Sequence, residues 1–379
     1  MIYFDNAATT FPKPEIVYDT VNHIQRTTAV NIGRGSYRIA SEAMKITDET
    51  RHLMAELVGG GQAENVVFTP SATIAANEVI YGLEWNEYKN VYVTPFEHNA
   101  IARPLGMVQG KYGFEIIQIP FDKDTHELDL HKLKILFAKK VPDYIFISQI
   151  SNVTGTIVPV QKITEAAQAY DVVTIVDGSQ SVGLIDINMG RQGIDYLIFA
   201  GHKNLYASWG IGGFVKNSNH ILMPALAGGN GSDSLNLTLP SEIPTGFEIG
   251  SPNIIAIASL NASLKWLKTT TIEAIAKHKA TLMATLIDGL QSLNVKMYLP
   301  EKTLHTSVLS FNLDEYEPSE IGTILSEDFD IAVRTGYHCA PWIHDFLNTV
   351  DCKGTVRASI SYFNTQDEVE KFIDAISEI

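Results

Sequence analysis

Tyr196-Leu197-Ile198-Phe199-Ala200-Gly201-His202-Lys203 is an apolar run that stops at a glycine, an imidazole and an amine. Such a run reads as a buried strand ending in a polar turn, so Lys203 emerges where the strand stops. Val172-Val173-Thr174-Ile175-Val176, followed by Asp177-Gly178-Ser179-Gln180, has the same form. Working outward, short β-branched or aromatic runs recur at residues 66–68, 91–93, 114–119, 144–148 and 213–215. Stretches of helical character lie between several of them, at 73–83 and 163–170. This alternation predicts an α/β domain built on a mostly parallel sheet. Ligands of such sheets bind at the carboxyl ends of the strands. The polar residues gather there: Ser71-Ala72-Thr73, Glu97-His98, Ser151-Asn152, Asp177 and Gly201-His202-Lys203.

Beyond residue 261 the pattern turns helical to 293, strands return at 306–312 and 355–362, and an amphipathic helix at 366–379 closes the chain. A length of 379 residues suits a large domain with a smaller one attached. The expected division is 15–263 for the large domain and 264–379 for a smaller α+β domain, with residues 1–14 packed on the latter. The Gly/Ser-rich stretch 227–245 reads as an ordered loop. With 28 basic and 43 acidic residues the formal charge is −15, which disfavours broad binding to nucleic acid or anionic lipid. Charges, Gly or Pro interrupt every apolar run before it reaches the length of a membrane span. The start, MIYFDNAATTFPKPE, lacks the features of a signal peptide. Two cysteines, Cys339 and Cys352, make no disulfide framework, so a reducing cytoplasm is expected. No metal site is expected.

Single residues leave alternatives open. A lysine near glycine reads as a phosphate binder, a core oddity or an amine nucleophile. Asp177, at a strand end, can keep a pyridinium nitrogen protonated and make its ring an electron sink, or simply form a turn or cap. Ser71-Ala72-Thr73 opens a helix whose free N–H groups favour an anion, though an ordinary Ser/Thr cap explains it equally. Cys339 lies among turn residues beside His338, which suits an exposed thiol; lone cysteines are more often small hydrophobes. An isolated arginine such as Arg357 is usually half of a surface salt bridge.

Order and spacing narrow these choices. Tyr3-Phe4-Asp5-Asn6-Ala7-Ala8-Thr9-Thr10, Glu97-His98, Ser151-Asn152-Val153-Thr154-Gly155-Thr156, Asp177-Gly178-Ser179-Gln180, Gly201-His202-Lys203, Arg334-Thr335-Gly336-Tyr337-His338-Cys339 and Arg357-Ala358-Ser359 run in sequence along the chain. Together they resemble the class V aminotransferase-fold enzymes that use pyridoxal 5'-phosphate (PLP), and among them the cysteine desulfurase and selenocysteine lyase group. The subgroup with His-Cys-Ala-Pro and Gly-Thr-Val-Arg is the most similar. The resemblance implies a type I PLP-dependent transferase fold, like aspartate aminotransferase, and a homodimer with composite sites. It implies that Lys203 carries the cofactor, Asp177 holds the ring nitrogen, Gln180 donates to the ring hydroxyl and His98 stacks on the ring. Asn152 would contact the ring hydroxyl or the substrate carboxylate. Ala72, Thr73 and His202 would cradle the phosphate, with Ser251 reaching the partner's phosphate across the dimer. Arg357 would grip the carboxylate of an amino-acid substrate.

Cys339 falls at the family's nucleophile position, while Cys352 matches no catalytic position. The implied reaction converts L-cysteine to L-alanine, leaves a persulfide on Cys339 and passes its sulfur to an acceptor protein or a reductant. Two departures stand near the lysine. Ala200 occupies a position that usually carries a phosphate-binding hydroxyl, and Ala207-Ser208 replaces Gly-Pro. The rival readings are a β-lyase on selenocysteine or a cysteine derivative, a class V aminotransferase, and a non-catalytic scaffold.

Overall fold

The computed structural model describes residues 1–32, 37–229, 235–300 and 304–379. Its centre is a seven-stranded sheet of β2 (Val66–Thr69), β3 (Asn90–Val93), β4 (Glu115–Gln118), β5 (Tyr144–Ser148), β6 (Val173–Asp177), β7 (Tyr196–Ala200) and β8 (Gly212–Lys216). The spatial order is β2-β8-β7-β6-β5-β3-β4. β4, β3, β5, β6 and β7 pair in parallel, and β8 runs antiparallel to both its neighbours. All seven strands expected from the sequence are present. β5, β6 and β7 were the most legible because parallel strands covered on both faces become nearly continuous apolar runs, whereas the edge strand β4 is partly exposed. Successive side chains then alternate between two cores. Ile145 and Ile147 of β5 and Leu197 and Phe199 of β7 enter one, while Tyr144, Phe146, Tyr196 and Ile198 enter the other.

The chain begins with β1 (Ile2–Tyr3), which pairs in parallel with β11 (Ile331–Ala332). β9 (Lys296–Met297), β10 (Val308–Asn312), β12 (Arg334–Gly336) and β13 (Thr355–Ser359) form a four-stranded sheet in the order β12-β13-β10-β9. Its core includes Phe4, Leu286, Leu309, Phe311 and Phe372. The closing helix, Gln366–Glu378, starts with a Thr365 capping box and buries Val369, Phe372 and Ile376.

The helical region expected at 261–293 is two helices, Ile254–Thr270 and Ile272–Ser292, and residue 263 lies inside the first. They break at Thr271, whose φ of +69° is outside the helical region and whose side chain caps the second helix through Ala274 N. Residues 230–234 of the expected 227–245 loop lie outside the described residues. Among the described residues, no helix is long and apolar enough to cross a membrane.

Candidate active site

Strand register sets the base of the site. Ser148 of β5 lies opposite Asp177 of β6, and Asp177 lies opposite Ile198 of β7. Asp177, the last residue of β6, is buried, and its Oδ1 accepts from Ser179 N at 2.9 Å. Lys203 follows β7 by three residues. Burial lowers the pKa of its amine; Asp177 pulls it back up, while Arg357 and Arg334 push it further down. The amine makes no hydrogen bond among the described residues.

His98 caps the helix Asn99–Tyr112, and its Nδ1 accepts from Ala100 N at 3.0 Å. The ring hydrogen therefore sits on Nε2. Burial, and then the charge of Lys203, lowers its pKa to about 4, so the imidazole is neutral at pH 7. Beneath it, the fully buried Glu97 ties two strand ends together. Its carboxylate accepts from Thr94 Oγ1 at 2.6 Å and from Ser148 N and Oγ, both at 2.8 Å. Burial outweighs those bonds and raises its pKa to about 7.

The helix Ala72–Gly82 starts beside β8. A Cβ on Gly212 would lie 2.5 Å from Ala72 N, so only glycine permits this approach. Ser71 Oγ accepts from Ile74 N, and the amides of Ala72 and Thr73 have no acceptor within the helix. The His202 ring stacks on Trp209, with centroids 4.0 Å apart and planes at 18°. Its Nδ1 is buried without a partner, and burial with the charges of Lys203 and Lys13 lowers its pKa to about 3.

The second half of the site comes from the chain's C-terminal part. His338 and Cys339 both adopt left-handed backbone, at φ of 47° and 57°. This turn brings Cys339 Sγ to 3.4 Å from an Arg334 nitrogen. Cys339 is half-buried and Cys352 exposed, and both are free thiols. Asn152 Nδ2 donates to the His338 carbonyl at 2.8 Å. Arg357 is buried on β13: one terminal nitrogen meets Asp5 Oδ1 at 2.6 Å, the other meets the Asn152 carbonyl at 3.0 Å, and its Nε has no partner.

Lys203, Asp177, His98, Arg357 and Cys339 thus share one electrostatic site, with Asn152 bonded to Arg357 and to His338 beside Cys339. Gln180 stands at its edge with its amide already donating to the Ala7 carbonyl at 2.8 Å. Ser251 lies apart and exposed, lining a cavity of about 220 Å³ with Thr69, Pro70 and Gly210. Ala200 is buried and ends β7, Ala207 is buried against Gly201, and Ser208 Oγ bonds Ser259 Oγ at 2.7 Å. Sequence reasoning assigned no role to Arg334, although its place five residues before the cysteine was a usable signal. It also missed Asp5, Lys13 and Trp209, whose partners are distant in sequence or show no periodicity.

The model of the aminotransferase class-V family matches residues 2–372. A probable cysteine desulfurase of Pyrococcus abyssi is 30% identical over all of this chain and 94% of its own length. The chain belongs to the cysteine desulfurase family of class-V aminotransferases. Another family member, a probable cysteine desulfurase of Mycolicibacterium paratuberculosis, is 31% identical, but this chain spans only 55% of its length. The apo structure of the cysteine desulfurase from Thermococcus onnurineus superimposes with a TM-score of 0.91 at 29% identity, covering 100% of this chain and 94% of that one. The type I fold implied by the sequence is therefore the fold of this family member.

Proposed function

We propose that this family member is a PLP-dependent cysteine desulfurase that converts L-cysteine to L-alanine and receives the sulfur on Cys339. The convergence of the Lys203 amine and the half-buried Cys339 thiol on one site carries this reading. The residues fit the cofactor. Lys203 offers an amine with no hydrogen-bond partner among the described residues, and Asp177 a carboxylate at the end of the neighbouring strand. The first turn at Ala72 and Thr73, with the unpartnered His202 Nδ1, suits a phosphate. Bound there, PLP supplies an electron sink for the charge that develops at the substrate α-carbon.

The chain's own residues do the rest. Burial keeps the Lys203 amine easily deprotonated, as needed to take a proton from the α-carbon. With the cofactor bound, Asp177 would keep the ring nitrogen protonated, and Gln180, one of whose amide hydrogens goes to Ala7, would have the other for the ring hydroxyl. Neutral His98 presents its ring face and Nε2–H. Arg357 and Asn152 hold the substrate carboxylate. Cys339, whose Sγ accepts from Arg334, attacks the substrate sulfur as a thiolate. A sulfur–sulfur bond forms, the carbon–sulfur bond breaks, and its electron pair returns to carbon to be protonated, giving alanine. An acceptor protein then takes the sulfur.

We further propose a cytoplasmic two-fold dimer in which Ser251 completes the partner's phosphate site, with the chain divided near residue 263. The exposed Ser251 beside Gly210 supports the dimer, and a fully active monomer in sedimentation would refute it. The roles are tested by changing the leaving group. A selenol is more acidic than a thiol and its bond to carbon is weaker, so selenium leaves with less help. Cys339→Ala should abolish alanine formation from cysteine yet retain it from selenocysteine. Undiminished cysteine turnover would remove the persulfide route in favour of a β-lyase or aminotransferase.

A further inference from the structure

Lys13 is a buried lysine that the proposed chemistry does not use. Its Nζ donates to the His202 carbonyl at 2.6 Å and to Thr10 Oγ1 at 2.7 Å, and no carboxylate pairs with it among the described residues. Burial alone lowers its pKa to about 7. A buried amine without a counter-ion is costly, so its retention calls for a reason.

The reason lies in what the surrounding segment grips. The His202 carbonyl also accepts from Thr9 Oγ1 at 3.0 Å, Thr10 N at 3.1 Å and Thr10 Oγ1 at 3.3 Å. Thr10 Oγ1 lies closer still, 3.0 Å, to the carbonyl of Lys203, which Tyr206 N also reaches at 2.8 Å. A carbonyl offers two lone pairs, so these donors compete for the His202 oxygen. Earlier in the same segment, Asp5 holds Arg357 and Ala7 holds Gln180. One short stretch, residues 5–13, thus grips side chain or backbone of four site residues.

We infer that Lys13 is a positioning residue, whose ammonium locks the His202–Lys203 peptide and fixes the point from which the Lys203 side chain reaches into the site. This rests on the reading of Lys203 as the cofactor lysine. That side chain has four rotatable bonds, and nothing described hydrogen-bonds its amine, so its aim is set by its backbone. A displacement of about 1 Å at a reacting group can slow a reaction about a hundredfold.

The test uses PLP-loaded protein with Lys13→Met, Lys13→Arg and Thr9→Val. Borohydride reduction should still trap the cofactor on Lys203 in each. Lys13→Met should weaken the visible circular dichroism of the bound cofactor and lower kcat about ten- to a hundredfold, leaving KM within about twofold, because no substrate contact is lost. Lys13→Arg should recover part of both signals, and Thr9→Val should show a smaller fall of the same kind. Lower melting temperature with unchanged kcat and dichroism would overturn the inference. If Lys13→Met does not fold, unchanged kcat in Thr9→Val overturns it equally. A label on another lysine in the unmodified protein would instead refute the reading of Lys203, a separate and distinguishable failure.

Discussion

Lys203, Asp177 and His98 stand just after or at the ends of strands in one mostly parallel sheet, whereas Arg357, Arg334 and Cys339 reach the same site from β12, β13 and the turn after β12. In the first group Asp177 and His98 are held by strand ends and by bonds within a few residues, Ser179 N on Asp177 and Ala100 N on His98, and only Lys203 is also gripped from afar, by Thr10. The second is held by contacts distant in sequence, Asp5 on Arg357 and Asn152 on His338. It also sits on two consecutive left-handed residues, His338 and Cys339. Each non-glycine residue in that conformation costs about 1 kcal/mol, a strain commonly kept at functional sites. Under the proposed function the two halves divide the labour: the sheet would supply the proton and electron chemistry, and the strained turn would present the sulfur nucleophile.

The largest effect expected on the sheet half is that of Asp177→Asn. The amide loses the charge-assisted bond to a protonated ring nitrogen. Losing about 3 kcal/mol of transition-state stabilisation slows turnover by roughly two orders of magnitude. The protein should stay folded and PLP-loaded, and Cys339 should still react with thiol reagents. Steady-state rates beside a thiol titration separate the two halves. Near-normal turnover would break the comparison.

How much of this was legible follows the same line. Buried parallel strands such as β5, β6 and β7 write themselves as nearly unbroken apolar runs, so they and the residues at their ends could be read directly. The break at Thr271 could not, because neither Gly nor Pro marks it. Nor could the Asp5–Arg357 pair or the Lys13 bond to His202, because pairing across the fold leaves no periodicity. Arg357 stood out as a resemblance to a carboxylate-binding arginine, yet nothing in the sequence said that Asp5 already holds it. The stack of Trp209 on His202 was equally silent.

A smaller effect sharpens the sheet side. The pKa of Glu97 is raised from 4.5 to about 7, so the folded state holds this proton more tightly than the unfolded chain. Its contribution is fully present below pH 4.5 and is lost as pH rises through 7. The shift corresponds to about 3 kcal/mol as an order of magnitude. Glu97→Gln keeps acceptors for Thr94 and the Ser148 amide, and a donor for Ser148 Oγ, without that proton. Denaturant melts should show the variant losing less stability than the parent between pH 5 and 8. Parallel pH profiles would mean that Glu97 titrates normally and does not hold the strand ends in this way.

The most direct test of the central claim follows one sulfur atom. Unmodified, PLP-loaded protein is incubated with L-cysteine and no reductant, the products are assayed for alanine and pyruvate, and the Cys339 peptide is weighed by mass spectrometry. Alanine should form, with at least one added sulfur on Cys339 and none on Cys352. Pyruvate with an unmodified Cys339 would contradict the account.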